Sequence, residues 1–263
     1  MSSLRRIRLI APATAVADLL VLVGDFAGGC RESDLGDGRV ALDFWSDDPQ
    51  AEVELERRIR AAGLDLNLSS SPEPSDWEGA LREFHRPVVI SGRLRLRPPW
   101  HVAERDLIDV IVDPGLAFGT GQHATTRMCL ALLLDRPRGS LVDAGCGSGV
   151  LALAALRLGH RPVWAVDHDP HSVAAARANA TANGLSLSVA EASLHDARLP
   201  AADGVMANLT LTLMPALASA LSRPPRWMIL SGLRSFEAGD AAQLFAPRGL
   251  AVEQRRSEDG WCA

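Results

Sequence analysis

The segment Leu141-Val142-Asp143-Ala144-Gly145-Cys146-Gly147-Ser148-Gly149 restricts the fold more than any other stretch of the chain. Apolar residues lead to an acid, and a glycine-rich turn opens the apolar run that begins at Val150. A turn of this kind joins a strand to a helix. Its glycines let backbone approach a ligand closely, and the helix N-terminus offers free N–H groups. Asp167 ends the next apolar strand, about 20 residues beyond Gly145, where a carboxylate can accept from both ribose hydroxyls of an adenosine ligand.

The pattern after about residue 106 agrees. Strands are expected at 140–144, 162–167, 185–190, 203–208 and 226–231, and helices at 123–135, 148–158, 170–183, 211–221 and 235–246. This alternation predicts a doubly wound α/β sheet with a parallel core, in a domain spanning 106–263. Ahead of it, residues 1–70 predict a small α+β domain. A strand at 4–10 precedes a helix at 13–24, and strands at 30–35 and 39–45 flank the Gly36-Asp37-Gly38 turn. A helix follows at 48–62, with Val53, Leu55, Ile59 and Ala62 toward one side and Gly63 at its C-terminus. Leu64, Leu66 and Leu68 alternate as a last strand. The order β-α-β-β-α-β is ferredoxin-like. Residues 71–105 are expected to hold a linker helix, Trp77 to His85, and a hairpin turning at Ser91-Gly92; the Ser/Pro run at 69–75 reads as a flexible joint.

Composition closes off several chemistries. All 27 basic residues are Arg, so there is no lysine for a Schiff base, a P-loop or a pyridoxal-phosphate anchor; tyrosine is also absent. A net charge of -5 argues against a broad nucleic-acid face. Cys30, Cys129, Cys146 and Cys262 lack any CxxC spacing and read as free cytosolic thiols. His168 and His171 lie three apart without a third ligand nearby, so no metal site is expected. No apolar run approaches the ~20 residues of a membrane helix. The N-terminal apolar stretch is broken by Asp18, and Val16, Leu19, Leu20 and Val23 suit an amphipathic helix better than a leader. A cytoplasmic monomer is expected.

Two ligands suit the glycine turn, a dinucleotide or S-adenosylmethionine. The dinucleotide fingerprint places its third glycine three residues after the second; here Gly145, Gly147 and Gly149 are evenly spaced. Asp143 would repel a pyrophosphate and suits a cationic methionine head, which favours S-adenosylmethionine. A second Gly-rich run, Asp113-Pro114-Gly115-Leu116-Ala117-Phe118-Gly119-Thr120-Gly121-Gln122-His123-Ala124-Thr125-Thr126, enters a helix and is either ligand-binding or a turn with an N-cap. Asn208 closes the strand Val205-Met206-Ala207, at the sheet edge where α/β ligands bind, as a ligand or as a cap for the next helix.

Together these segments resemble the bacterial ribosomal protein L11 methyltransferases. The likeness runs from Asp76-Trp77 through Arg97-Pro98-Pro99-Trp100, the 113–126 loop, the glycine turn, Asn208 and Leu230-Ser231-Gly232 to Gly260-Trp261-Cys262. It implies a class I, Rossmann-like methyltransferase fold, with Thr126, Gly145, Asp167 and Asn208 contacting S-adenosylmethionine and Phe118, Gly119 and Thr120 bordering its methionine end and the substrate amine. It further implies a ribosomal protein substrate, free or in the large subunit, recognised by the N-terminal domain. The expected reaction is direct transfer of the sulfonium methyl to a neutral amine, with Asn208 orienting the amine. His123 is a candidate base, or equally a cap. Ala124 stands where the family usually has proline, which predicts a looser helix start. Two alternatives stay open: another protein or a small amine as acceptor, and an inactive nucleotide- or RNA-binding module.

Overall fold

The computed structural model describes residues 5–16, 19, 30–46, 50–64, 66–72, 85–113 and 121–263. They belong to two compact units, Met1–Phe84 and His85–Ala263. The division falls within the 71–105 stretch assigned above to a linker helix and hairpin.

In the first unit, β1 (Arg5–Pro12), β2 (Cys30–Asp34), β3 (Arg39–Ser46), α1 (Ala51–Ala61) and β4 (Asn67–Pro72) build an antiparallel sheet in the order β2-β3-β1-β4. Alternate residues of β1 and β3, namely Ile7, Leu9, Ala11, Val40, Leu42 and Phe44, share a core with Val16, Leu19 and the helix. Across from Asp43 in the register, Arg8 pairs with its carboxylate at 2.7 Å. The buried stripe of α1 is Ala51, Leu55 and Ile59, one residue per turn. Val53 is 60% exposed and Ala62 is exposed, so these two expected core positions are corrected. Gly63 takes φ +73 and donates to the Arg60 carbonyl, as a helix terminator does. The last strand starts at Asn67 and runs through Ser69-Ser70-Ser71-Pro72, which face Arg8, Ile7, Arg6 and Arg5 of β1. A polar run read as a joint is therefore an edge strand. Pairing with β1 overrides its low strand propensity, and Pro72 ends it where no further ladder bond is needed. Leu20, Val23 and the expected helix from Trp77 to Phe84 lie outside the described residues; His85 is not helical.

The second unit holds the parallel sheet. β8 (Leu141–Ala144), β9 (Val163–Asp167), β10 (Ser188–Glu191), β11 (Gly204–Asn208) and β12 (Trp227–Ser231) lie in the order β10-β9-β8-β11-β12, every pair parallel. The strand order reverses beside β8, the position where ligands bind in such sheets. The helices are α2 (Ala124–Leu133), α3 (Val150–Arg157), α4 (Pro170–Ala182), α5 (Met214–Ala220) and α6 (Ala238–Phe245). Residues of one strand face opposite cores. Leu141 lies with α2 and α3, whereas Val142 and Ala144 lie with α5 and α6. A short C-terminal sheet joins β13 (Leu233–Arg234), β14 (Ser257–Glu258) and β15 (Trp261–Cys262) in the order β13-β15-β14.

The hairpin β5 (Val88–Ile90) and β6 (Leu94–Arg97) extends into β7 (Ile108–Ile111), which runs parallel to β6. Ile90, Leu94 and Leu96 belong to the same core as α2 and α3. Buried Arg95 bonds Asp109 at 2.8 Å and also reaches Glu104 and the Val102 carbonyl, fixing the 98–107 connection. The hairpin is thus part of the second unit's core. Leu96→Ala should cost about 2–4 kcal/mol in a urea unfolding series, while Val53→Ala should stay within about 0.5 kcal/mol. A Leu96 variant as stable as the parent would remove the hairpin from the core.

Candidate active site

At the C-terminal end of β8 the chain makes three left-handed steps, Gly145 (φ +73), Gly147 (φ +52) and Gly149 (φ +78). Two of them are also sites of close approach. A Cβ on Gly145 would sit 2.4 Å from Leu209 Cδ2, and one on Gly149 would sit 3.0 Å from the Ala176 Cβ. The turn is bolted to the end of β9. Gly145 and Cys146 N–H both donate to the Val166 carbonyl (2.8 and 3.0 Å), and Gly147 N–H donates to Asp167 Oδ2 at 2.8 Å. The other oxygen of Asp167 accepts from Asp169 N–H at 3.1 Å. Each carboxylate oxygen keeps a second lone pair for a hydroxyl.

Asp143 is completely buried. Its Oδ2 accepts from Ala152 N–H at 3.0 Å, in the first turn of α3. Its Oδ1 is buried with no protein partner. Burial pushes the carboxyl up to about 7, against the Ala152 bond, and the nearby Asp167 charge adds to the rise. The acid therefore occupies the helix N-terminus that receives a pyrophosphate in dinucleotide folds. With the Gly145, Cys146 and Gly147 amides spent inside the fold, this turn offers an anion little. A cation with an N–H donor would satisfy Oδ1.

Across the turn, Leu209 brings the end of β11 against Gly145. Asn208 donates to the buried Thr126 Oγ1 at 3.5 Å, the outer limit for such a bond. His123 is the N-cap of α2: Nδ1 lies 2.7 Å from Thr125 Oγ1 and accepts from Thr125 N–H at 3.4 Å. The helix start is thus capped by an imidazole where a looser one was expected. Trp261 stands edge-on to that ring at 5.0 Å, with the Arg234 guanidinium 3.9 Å over its own face. Burial holds His123 below the usual histidine range, assisted by Arg127 and Arg234, so it is neutral at pH 7. Gly232 (φ +80) lies against the Leu209 backbone, where a Cβ would come within 2.6 Å of the carbonyl oxygen.

The structure thus gathers Asp143, Gly145, Gly147, Gly149 and Asp167 around one turn, and joins Asn208 to Thr126 beside it. Phe118, Gly119 and Thr120 lie outside the described residues. Sequence reasoning passed over Leu209, whose role is steric, and Asn179, a buried polar residue in the interior of α4 where asparagine is a poor helix former.

The profile described as "Ribosomal protein L11 methyltransferase (PrmA)" matches residues 46–263. The chain belongs to that family. A ribosomal protein L11 methyltransferase of Bordetella parapertussis is 34% identical over 296 aligned positions, covering 95% of this chain and 94% of the relative. One from Gloeobacter violaceus is 40% identical over 196, covering 72% of this chain; of that relative's own length 62% is matched. The crystal structure of a ribosomal protein L11 methylase from Lactobacillus delbrueckii subsp. bulgaricus superposes with a TM-score of 0.58 at 29% identity, covering 68% of this chain and 96% of that one. The protein is an S-adenosylmethionine-dependent methyltransferase with the class I, Rossmann-like fold. Its residues fit that cofactor, because the buried Oδ1 of Asp143 lacks a donor and the cofactor is cationic.

The raised carboxyl sets a pH dependence. The unfolded chain loses the Asp143 proton near its ordinary value of 3.8, the folded chain only near 7. Between those values the folded state binds the extra proton, so stability falls as pH rises from about 4 to 7, by on the order of 4 kcal/mol if the group acts alone. Asp143→Asn cannot ionise. Its melting temperature relative to the ligand-free parent should climb with pH across that window, and parallel curves would show that Asp143 does not titrate there.

Proposed function

We propose that the protein transfers the methyl group of S-adenosylmethionine to amines, lysine side chains or the N-terminal α-amine, of the large-subunit ribosomal protein named in its family's description. The family match over residues 46–263 supports this acceptor. The observation that carries the chemistry is the buried, incompletely satisfied carboxylate of Asp143 at the N-terminus of α3.

The cofactor supplies a methyl group already activated by a sulfonium, so the protein's work is alignment and desolvation. Asp143, Gly145, Gly147 and Gly149 seat the methionine part, and Asp167 takes the ribose hydroxyls. Thr126 holds the Asn208 amide, whose oxygen accepts from the acceptor amine and points its lone pair at the methyl. An uncharged amide does this without competing with the sulfonium. The amine must arrive neutral, against an ordinary value near ~10.4 for lysine. His123 acts as the cap rather than the base: its Nδ1 accepts from Thr125 N–H, so the neutral ring carries its proton on Nε2 and has no free lone pair for the amine's proton. Phe118, Gly119 and Thr120 border the methionine end. Residues 1–70 select the substrate, which meets a monomeric enzyme in the cytoplasm without a nucleic-acid or membrane partner.

Incubating ribosomal proteins with enzyme and cofactor should add multiples of 14 Da to one large-subunit protein, read by mass spectrometry; methylation of small amines alone would replace this acceptor. Asn208→Ala should lower the saturated single-turnover rate by roughly 10²–10³ while cofactor affinity changes less. Collapse of affinity with an unchanged saturated rate would make Asn208 a cofactor ligand only.

A further inference from the structure

Two buried asparagines lie one turn apart, Asn179 inside α4 and Asn183 at its C-cap, 3% and 7% exposed. Asparagine is a poor residue for a helix interior, where Asn179 sits, and both side chains are buried polar groups that need partners. Asn183 behaves as an extra strand residue beside β7. Its Oδ1 accepts from Ile111 N–H at 2.9 Å, and its Nδ2 donates to the Ile111 carbonyl at 2.7 Å and the Asn179 carbonyl at 2.8 Å. Asn179 instead reaches two segments far apart in the chain. Its Oδ1 accepts from Asp113 N–H at 3.0 Å, and its Nδ2 donates to the Ser148 carbonyl at 2.9 Å.

That second bond falls in the middle of the glycine turn. Gly145, Cys146 and Gly147 are held from the β9 side. Ser148 lies between Gly147 and Gly149, which have the widest backbone freedom, and it is buried, so its carbonyl must find a donor. Asn179 supplies one and ties the same amide to Asp113, two residues past the end of β7.

We propose that Asn179 is a positioning residue for the cofactor: it fixes the Ser148 peptide, and so the far half of the glycine turn, in register with the end of β7. The proposal deepens the reading of this turn as the cofactor's seat. Asn183 makes the comparable bonds to β7 and none to the turn, so it separates positioning from simple stability.

Three variants test this, with S-adenosylhomocysteine affinity by calorimetry and thermal unfolding measured on each. Asn179→Asp keeps an acceptor for Asp113 N–H but loses the donor to Ser148 once ionised; protonated, the carboxyl can donate again. At pH 8 it should bind about tenfold more weakly than the parent, and the deficit should shrink to within about threefold at pH 5.5. Comparison with the parent at each pH cancels Asp143, Asp167 and Asp113. Asn179→Ala should lose affinity by a similar factor at both pH values. Asn183→Ala should lower the melting temperature and leave affinity within about twofold. If Asn179→Asp does not fold at pH 8, the Asn179→Ala and Asn183→Ala pair decides. Equal affinities for those two, or a pH-independent Asn179→Asp deficit, would overturn the proposal. Failure of the parent itself to bind would overturn the functional reading and the proposal with it.

Discussion

A single buried carboxylate governs the second unit. Asp143, one residue before the end of the central strand β8, accepts from Ala152 in the first turn of α3, so the helix dipole is answered from within the fold. The β9 carbonyl at Val166 and the carboxylate of Asp167 absorb the turn's first three amides. In dinucleotide-binding strand–turn–helix units those groups face a phosphate. Here they are consumed, and the unmatched atom is an oxygen, Asp143 Oδ1. One change of sign in the site separates a cationic adenosine ligand from a dinucleotide, and the parallel sheet, its reversal beside β8 and the glycine spacing all place that sign.

The rest of the unit keeps this arrangement rigid. Leu209 packs against both Gly145 and Gly232, with no room for a methyl group at either glycine. Ser231 Oγ donates to the Cys262 carbonyl at 2.8 Å, which ties β12 to the C-terminal sheet, and that sheet presents Trp261 to the His123 cap. Cys129 in α2 lies near enough to Asp143 for its charge to add to burial in pushing the thiol up to about 12, so it stays neutral beside the acid. Burial raises Asp143 in turn, and the charge of Asp167 adds to the rise.

Features set by short-range chemistry were legible in the sequence. The strand ends at Asp167 and Asn208, the glycine turn and the Gly36-Asp37-Gly38 hairpin follow from residue type and spacing, and each falls where expected, while β8 runs one residue past Asp143 to Ala144. Features set by pairing between distant segments were not. Ser69–Pro72 have no strand signal of their own and become one because β1 offers an open edge. Val53 looked like core because it is apolar, but the face of α1 is decided by which residues meet β1 and β3. The membership of β5 and β6 in the larger core depends on β7, which follows them by a polar connection. The amides of Asn179 and Asn183 bridge segments more than 30 residues away, a relation that no local window contains.

The central claim is that a cation meets the Asp143 carboxylate. Burial pushes that group up to about 7, so near neutral pH the ligand-free protein carries part of the proton. A cation bound beside it favours the charged form, so binding must expel the remaining proton. Calorimetric titration of S-adenosylmethionine at pH 7, in buffers of different ionisation enthalpy, counts the protons released. The account predicts net proton release on cofactor binding, lost in Asp143→Asn. Binding with no proton release, or with the same release in Asp143→Asn, would contradict it.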